Sequence, residues 1–139
     1  MAENYGASST TSTPASLLVK GPFDTKTGTL LGDATNAYTS GCILEHVIAS
    51  DKWAHYDSAE AALRDRLGIC VDTFALADTT SDLSNQSIYV AGEFYEQTVE
   101  LACPQTGTFY GNLSAANKRI AQEKLADYGI RLKDAVQAA

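Results

Sequence analysis

One stretch of fifteen residues, 87–101, reads SIYVAGEFYEQTVEL and limits the fold more than any other part of the chain. Ile88, Tyr89, Val90, Phe94, Tyr95, Thr98 and Val99 are β-branched or aromatic, the side chains that suit a pleated and half-buried surface. The stretch is therefore read as a strand. Side chains alternate along a strand. Ile88, Val90, Gly92 and Phe94 then share a face with Glu96 and Glu100, while Tyr89, Ala91, Glu93 and Tyr95 share the other. Two readings of the carboxylates stand. They form the solvent side of a partly exposed strand, or they form an acid/base pair, which needs partners at reaction distance. Gly92 is the expected place for a bulge or for the close approach of another backbone.

The chain has 139 residues, the usual size of one domain, and 45% of them are hydrophobic, enough for a packed core. Ten Lys and Arg stand against 17 Asp and Glu, for a net charge of −7. A nucleic-acid binder needs a dense basic face to displace counterions from phosphates, and this balance offers none. An anionic membrane surface would repel the chain as well. No apolar stretch reaches the length of a membrane span, and the first residues lack the basic and apolar regions of a secretion signal. The expectation is a chain made and kept in a cytosol. Cys42, Cys70 and Cys103 fit that compartment: their number is odd and no CxxC unit is present, so they are read as small apolar packing residues.

Residues 1–16 are small and polar, with nothing to bury, and are expected to form a flexible N-terminal arm. Residues 17–139 are expected to form a single β-rich domain. SLLVKGPF (16–23) is a short apolar run closed by the loop signal Gly21-Pro22. FDTKTGTLLG (23–32) reads as a hairpin or tight turn around Gly28. GCILEHVIAS (41–50) reads as a strand buried on both faces. YDSAEAALRDRLG (56–68) reads as a short helix capped by Asp57 or Ser58, with Glu60 completing a capping box and Gly68 ending it. ICVDTFALA (69–77) reads as a strand, and DTTSDLSNQS (78–87) as a polar loop. In LSAANKRIAQEKLADYGI (113–130), Ser114 is the expected N-cap and Gly129 the residue that closes the helix. Ile120, Ala121, Leu125 and Tyr128 fall on one face of that helix. Ile130 and Leu132 then begin a closing strand. The fold class is α+β: a small β-rich domain, a compact sheet or barrel, with one or two short helices.

The residues offer little chemistry. His46 and His55 are the only histidines, and no HxxxH or CxxC spacing supports zinc. Cys42 and His46 lie on one face of a strand but roughly 13 Å apart, too far for a nucleophile and its base. No phosphate-binding glycine loop or nucleophile elbow is present. Trp53 and Tyr56 flank His55 and read as core or interface packing, or as a ligand platform. No enzymatic centre, cofactor or metal is expected.

Four segments taken in order, GCILEHV (41–47), LGICVDTF (67–74), IYVAGEFYEQTVEL (88–101) and AQEKLADYGIRLK (121–133), together resemble the head decoration proteins of tailed bacteriophages, the family of the lambda capsid-stabilising protein. That resemblance implies a homotrimer of compact α+β subunits seated on local three-fold sites of an expanded capsid. It implies an amino-terminal arm that orders on the shell by adding a strand. The partners are then the major capsid protein and the chain itself, with no nucleic acid and no membrane. The location is the outer surface of the virion, with the host cytoplasm during assembly. Ser16, Leu17, Leu18 and Val19 are the expected capsid contact at the root of the arm. Trp53, Tyr56, Phe94 and Tyr95 are the expected trimer contact. The alternative is a small cytosolic enzyme or ligand-binding β-domain that uses Glu93 and Glu96 with the aromatic patch at Trp53 and Tyr56.

Overall fold

Thr25, Thr27 and Thr29 alternate along DTKTGTL, and this β-branched period of two builds the first strand, β1 (Asp24–Leu30). The computed structural model describes residues 17–19, 21–59 and 64–133. Five more strands follow: β2 (Ile43–Val47), β3 (Lys52–His55), β4 (Arg64–Cys70), β5 (Leu83–Tyr95) and β6 (Ile130–Lys133). The helices are α1 (Glu96–Ala102) and α2 (Ala115–Asp127). Strands β1, β3, β2, β4 and β5 lie side by side in that order, and β5 pairs back onto β1, so the sheet closes into a five-stranded barrel. Within the barrel all contacts between neighbours are antiparallel except β1 with β3, which run parallel at Leu30 and Trp53. The α+β, β-rich class with a barrel-like sheet is the class expected from the sequence.

The barrel is filled around one side chain. Trp53 is 2% exposed and stands between β1 and β4. A Cβ placed on Gly28 would lie 2.9 Å from two atoms of its indole, and one on Gly68 would lie 3.1 Å from its Cζ3 and 2.7 Å from Ile88 Cγ2. The 2.9 Å and 2.7 Å distances are shorter than packed carbons tolerate and the 3.1 Å one is tight, so the two glycines form the slot that the indole occupies. Leu30, Leu44 and Ile88 complete the interior around it.

Strand β5 outlasts the barrel. Its first part pairs with β1 and β4; its last four residues pair instead with β6, in parallel, from Gly92↔Ile130 to Tyr95↔Lys133. Gly92 stands at the changeover with φ +142°, a conformation that L side chains rarely adopt. The irregularity expected there falls close by, where Asp24 pairs with Ala91 but Thr25 pairs with Tyr89. Helix α2 begins at the Ser114 cap, whose hydroxyl accepts from the Asn117 N–H, and closes through Gly129 at φ +85°.

Several expected elements differ. The stretch 87–101 is not one strand: β5 stops at Tyr95 and Glu96 opens α1, which buries Val99. Thus Glu96 and Glu100 belong to a helix. The stretch 23–32 is a strand rather than a turn, because Gly28 serves the indole and not a bend. Residues 64–68 belong to β4 and not to a helix. Asp57 does form the local cap-like bond, accepting from the Ala59 N–H at 3.0 Å, but pairing with β2 takes Arg64 onward into the sheet. Strand β4 ends at Cys70, so 71–77 is not strand, and β5 already begins at Leu83 inside the expected loop. Within the stretch 41–50 the strand is Ile43–Val47, with Ile43, Leu44, Glu45 and His46 all buried, on both faces as expected, whereas 48–50 form an exposed turn. On α2, Ala121 and Leu125 are buried, whereas Ile120 and Tyr128 are 51% and 42% exposed. The arm 1–16, the capping-box residue Glu60 and the tail 134–139 lie outside the described residues.

Candidate functional site

The two described ends of the chain meet at one place. Leu18 bridges to Phe94 in antiparallel sense; the Tyr95 N–H donates to the Leu17 carbonyl at 2.9 Å, and the Val19 N–H to the Glu93 carbonyl at 3.0 Å. On the other side of the same four residues of β5 runs β6. Residues 17–19, β5 and β6 thus form a small three-stranded sheet appended to the barrel. Leu17 pairs at Tyr95, and Lys133 pairs at Tyr95 too. Strand β5 gives way to α1 one residue later. Leu17 and Lys133 thus stand side by side, separated only by the width of β5.

At the opposite end of this sheet lies an open recess of about 640 Å³, bounded by Gly21, Phe23, Gly92, Gly129 and Arg131. Phe23 is 54% exposed and meets Tyr89 edge-on, their ring centroids 5.5 Å apart. Asp24, Glu93 and Arg131 give the recess charges of both signs. Glu93 also stands 3.9 Å from the Lys133 ammonium.

The expected capsid-contact residues Leu17, Leu18 and Val19 are half-buried in this chain's own sheet, with backbone bonds to β5 already made. They are not free to pair elsewhere through that edge. Ser16 lies outside the described residues. Of the expected trimer-contact residues, Trp53, Phe94 and Tyr56 are 2%, 0% and 5% exposed, all inside this chain's own core. They leave almost no surface for a neighbour. Tyr95 alone of the four is half-buried. Their aromatic character was the sequence signal, and core packing accounts for it. Phe23 and the recess carried no such signal, because a lone Phe after Gly-Pro is ordinary.

The candidate carboxylates have separate partners. Glu96 Oε2 accepts from the buried Tyr110 hydroxyl at 3.0 Å, and Gln122 donates to the same hydroxyl at 2.9 Å. Glu100 pairs with Lys118, tying α1 to α2. His46 Nε2 lies 2.7 Å from Asp51 Oδ1, and Asp51 holds φ 56° in the β2–β3 turn. His55 donates from Nε2 to the Ala37 carbonyl at 3.0 Å, stacks on Tyr38, and leaves Nδ1 buried with no partner. Burial pulls the His55 pKa below its usual value. Glu45 is a buried carboxylate that the sequence did not single out; it accepts from the Asp57 N–H at 3.2 Å. The Cys42 thiol faces Cys70 rather than His46, and burial pushes its pKa well up. All three cysteines are free and buried, as packing residues would be. Among the described residues no three His, Cys, Asp or Glu form a group able to hold a metal ion, and no helix is long and apolar enough to cross a membrane. No protein-family model matches the chain, and no curated protein matches it.

Proposed function

We propose that this protein is a bacteriophage head decoration protein, a trimeric cement that binds the outside of the expanded shell and holds it against the pressure of packed DNA. The observation that carries the proposal is the placement of Leu17 and Lys133, the outermost described residues, on either side of Tyr95 at one end of the appended sheet. Leu17, which follows residues 1–16 in the chain, is held as a strand beside Tyr95, the last strand residue of β5. Addition of a strand to an exposed edge of another protein is a general mode of recognition, in which main-chain hydrogen bonds supply the affinity. Ordering each residue of such a segment costs about 1–2 kcal/mol of backbone entropy. A shell edge supplies the compensating bonds, so the segment orders only where it binds. Three subunits engaging at once convert weak single contacts into a tight one. The resemblance of segments 41–47, 67–74, 88–101 and 121–133 to the decoration proteins supports the same reading.

The capsid contact in this proposal is residues 1–16, with Leu17, Leu18 and Val19 acting as the root that anchors it to β5. The alternative of an enzyme at Glu93 and Glu96 draws no support from their separate partners. Electron microscopy of the purified protein mixed with expanded, undecorated shells tests the proposal. Protrusions at the local three-fold sites are expected, and they vanish when residues 1–16 are removed. Bare shells at saturating protein would overturn it.

A further inference from the structure

Cys42 and Cys70 meet across the barrel wall. The Cys70 N–H donates to the Cys42 carbonyl at 2.9 Å, and the Gly41 N–H to the Cys70 carbonyl at 2.9 Å. Two residues, Gly41 and Cys42, thus stand opposite one, an arrangement that Gly41 allows at φ +102°. Directly opposed residues of antiparallel strands hold their Cα atoms about 4.5–5.5 Å apart. That lies inside the range of about 4.4–6.8 Å that a disulfide spans. Both side chains are buried, at 0% and 1% exposure; Cys42 interacts with Cys70, whose thiol at rest donates to the Asp72 carbonyl at 3.1 Å. The third cysteine is placed differently. Cys103 caps the end of α1, and its sulfur accepts from the Ile43 N–H at 3.4 Å.

We propose that Cys42 and Cys70 are a latent cross-strand disulfide, formed by exchange with a small-molecule disulfide such as oxidised glutathione while Cys103 stays reduced. One thiol of the pair loses its proton and attacks a glutathione sulfur, forming a mixed disulfide and releasing one glutathione thiolate. The second thiol loses its proton and attacks the protein sulfur of that mixed disulfide, releasing the other glutathione. The two released thiolates take up the two protons. The pair is oxidised by two electrons and one glutathione disulfide is reduced to two thiols.

Access comes from the position of the pair. Cys42 precedes the first residue of β2 and Cys70 is the last of β4, so both lie where a ladder opens first. Burial holds the Cys42 thiol protonated at rest, so oxidation follows opening and is slow. Once formed, the bond closes a loop between positions 28 apart and narrows the unfolded ensemble. It raises the melting temperature by on the order of 10 °C. The inference concerns the barrel alone and holds whether or not the protein decorates a shell.

The test is incubation of the full chain with oxidised glutathione, alkylation of remaining thiols, and intact and peptide mass spectrometry. The expected product is two hydrogens lighter, with the peptides of Cys42 and Cys70 joined and one alkylated thiol at Cys103. Its melting temperature is raised, and a reductant reverses the rise. Cys103→Ser oxidises in the same way, while Cys42→Ser gives no crosslink. The wild-type peptide map decides alone if Cys42→Ser does not fold. A crosslink that includes Cys103, glutathione adducts without a crosslink, or three free thiols after prolonged exposure would each overturn the proposal.

Discussion

The barrel and the appended sheet are built from one strand under opposite rules. In the barrel, β5 has a neighbour on each side and the ring of strands closes, its seam between β1 and β3 held at Leu30 and Trp53. Its interior is specified by volume: an indole between two glycines. In the appended sheet, the last four residues of β5 hold three residues of the amino-terminal segment and a four-residue strand. Beside that sheet lie an exposed Phe and a mixed-charge recess. The indole slot belongs to the first region and the open recess to the second.

The comparison breaks most easily at Trp53. Truncation to Ala empties the barrel and is expected to cost about 3–5 kcal/mol, read as a lower denaturant midpoint. A loss under 1 kcal/mol would mean that the barrel does not rest on this residue. Next is Gly68→Ala, whose methyl group meets Ile88 and the indole. A cost of about 1–3 kcal/mol is expected from overpacking, and the double substitution with Trp53→Phe should recover part of it. Absence of any recovery would detach Gly68 from the slot.

Truncation sharpens the boundary between the regions. Removing 1–16 should leave the melting temperature unchanged. Removing 1–19 also strips Leu17 and Leu18 from the core and two backbone bonds from β5, at a cost of about 1–3 kcal/mol. Equal melting of the two truncated chains would show that residues 17–19 belong with the tail rather than the body.

A smaller effect follows from His55. Its folded pKa lies below the ordinary 6.5 because of burial. Below that pH the unfolded chain binds a proton that the folded chain refuses. Stability is therefore full above about pH 6.5 and declines as pH falls toward the folded value. His55→Phe should flatten this part of a pH–stability profile; an unchanged slope would assign it to other groups. The smallest effect on stability is expected at Phe23→Ala, within about 0.5 kcal/mol. If the recess is where subunits meet, sedimentation of this variant moves from trimer toward monomer, and an unchanged trimer places the contact elsewhere.

The sequence was most legible where local signals and tertiary demands agree. Ser114 and Gly129 bracket α2 because capping is a local matter of unpaired backbone groups. Strand β2 was readable from Ile43, Leu44 and Val47, although Glu45 and His46 stand between them. Residues 56–68 misled because Asp57 supplies a helix-start bond, yet partners 12 or more residues away recruit Arg64 onward into the sheet. Gly28 misled because its reason is an indole 25 positions later in the chain, which no local pattern reveals. The change from strand to helix at Glu96 is hidden for the same reason: Thr98 and Val99 suit either state, and packing of Val99 decides. Aromatic content marked Trp53 and Phe94 as important without saying which side of the wall they face.

The meeting of Leu17 and Lys133 at Tyr95 has a mechanical consequence. Residues 17–19 run opposite to β5 and β6 runs with it, so both outermost described residues lie at the same end of the small sheet. A pull that draws Leu17 and Lys133 apart acts across the strands: the bonds at Tyr95 take the load first and open one after another toward Gly92. The shortest route for that force runs through the last four residues of β5, and the Trp53-filled barrel stands outside it. The small sheet can thus yield bond by bond while the core remains at rest.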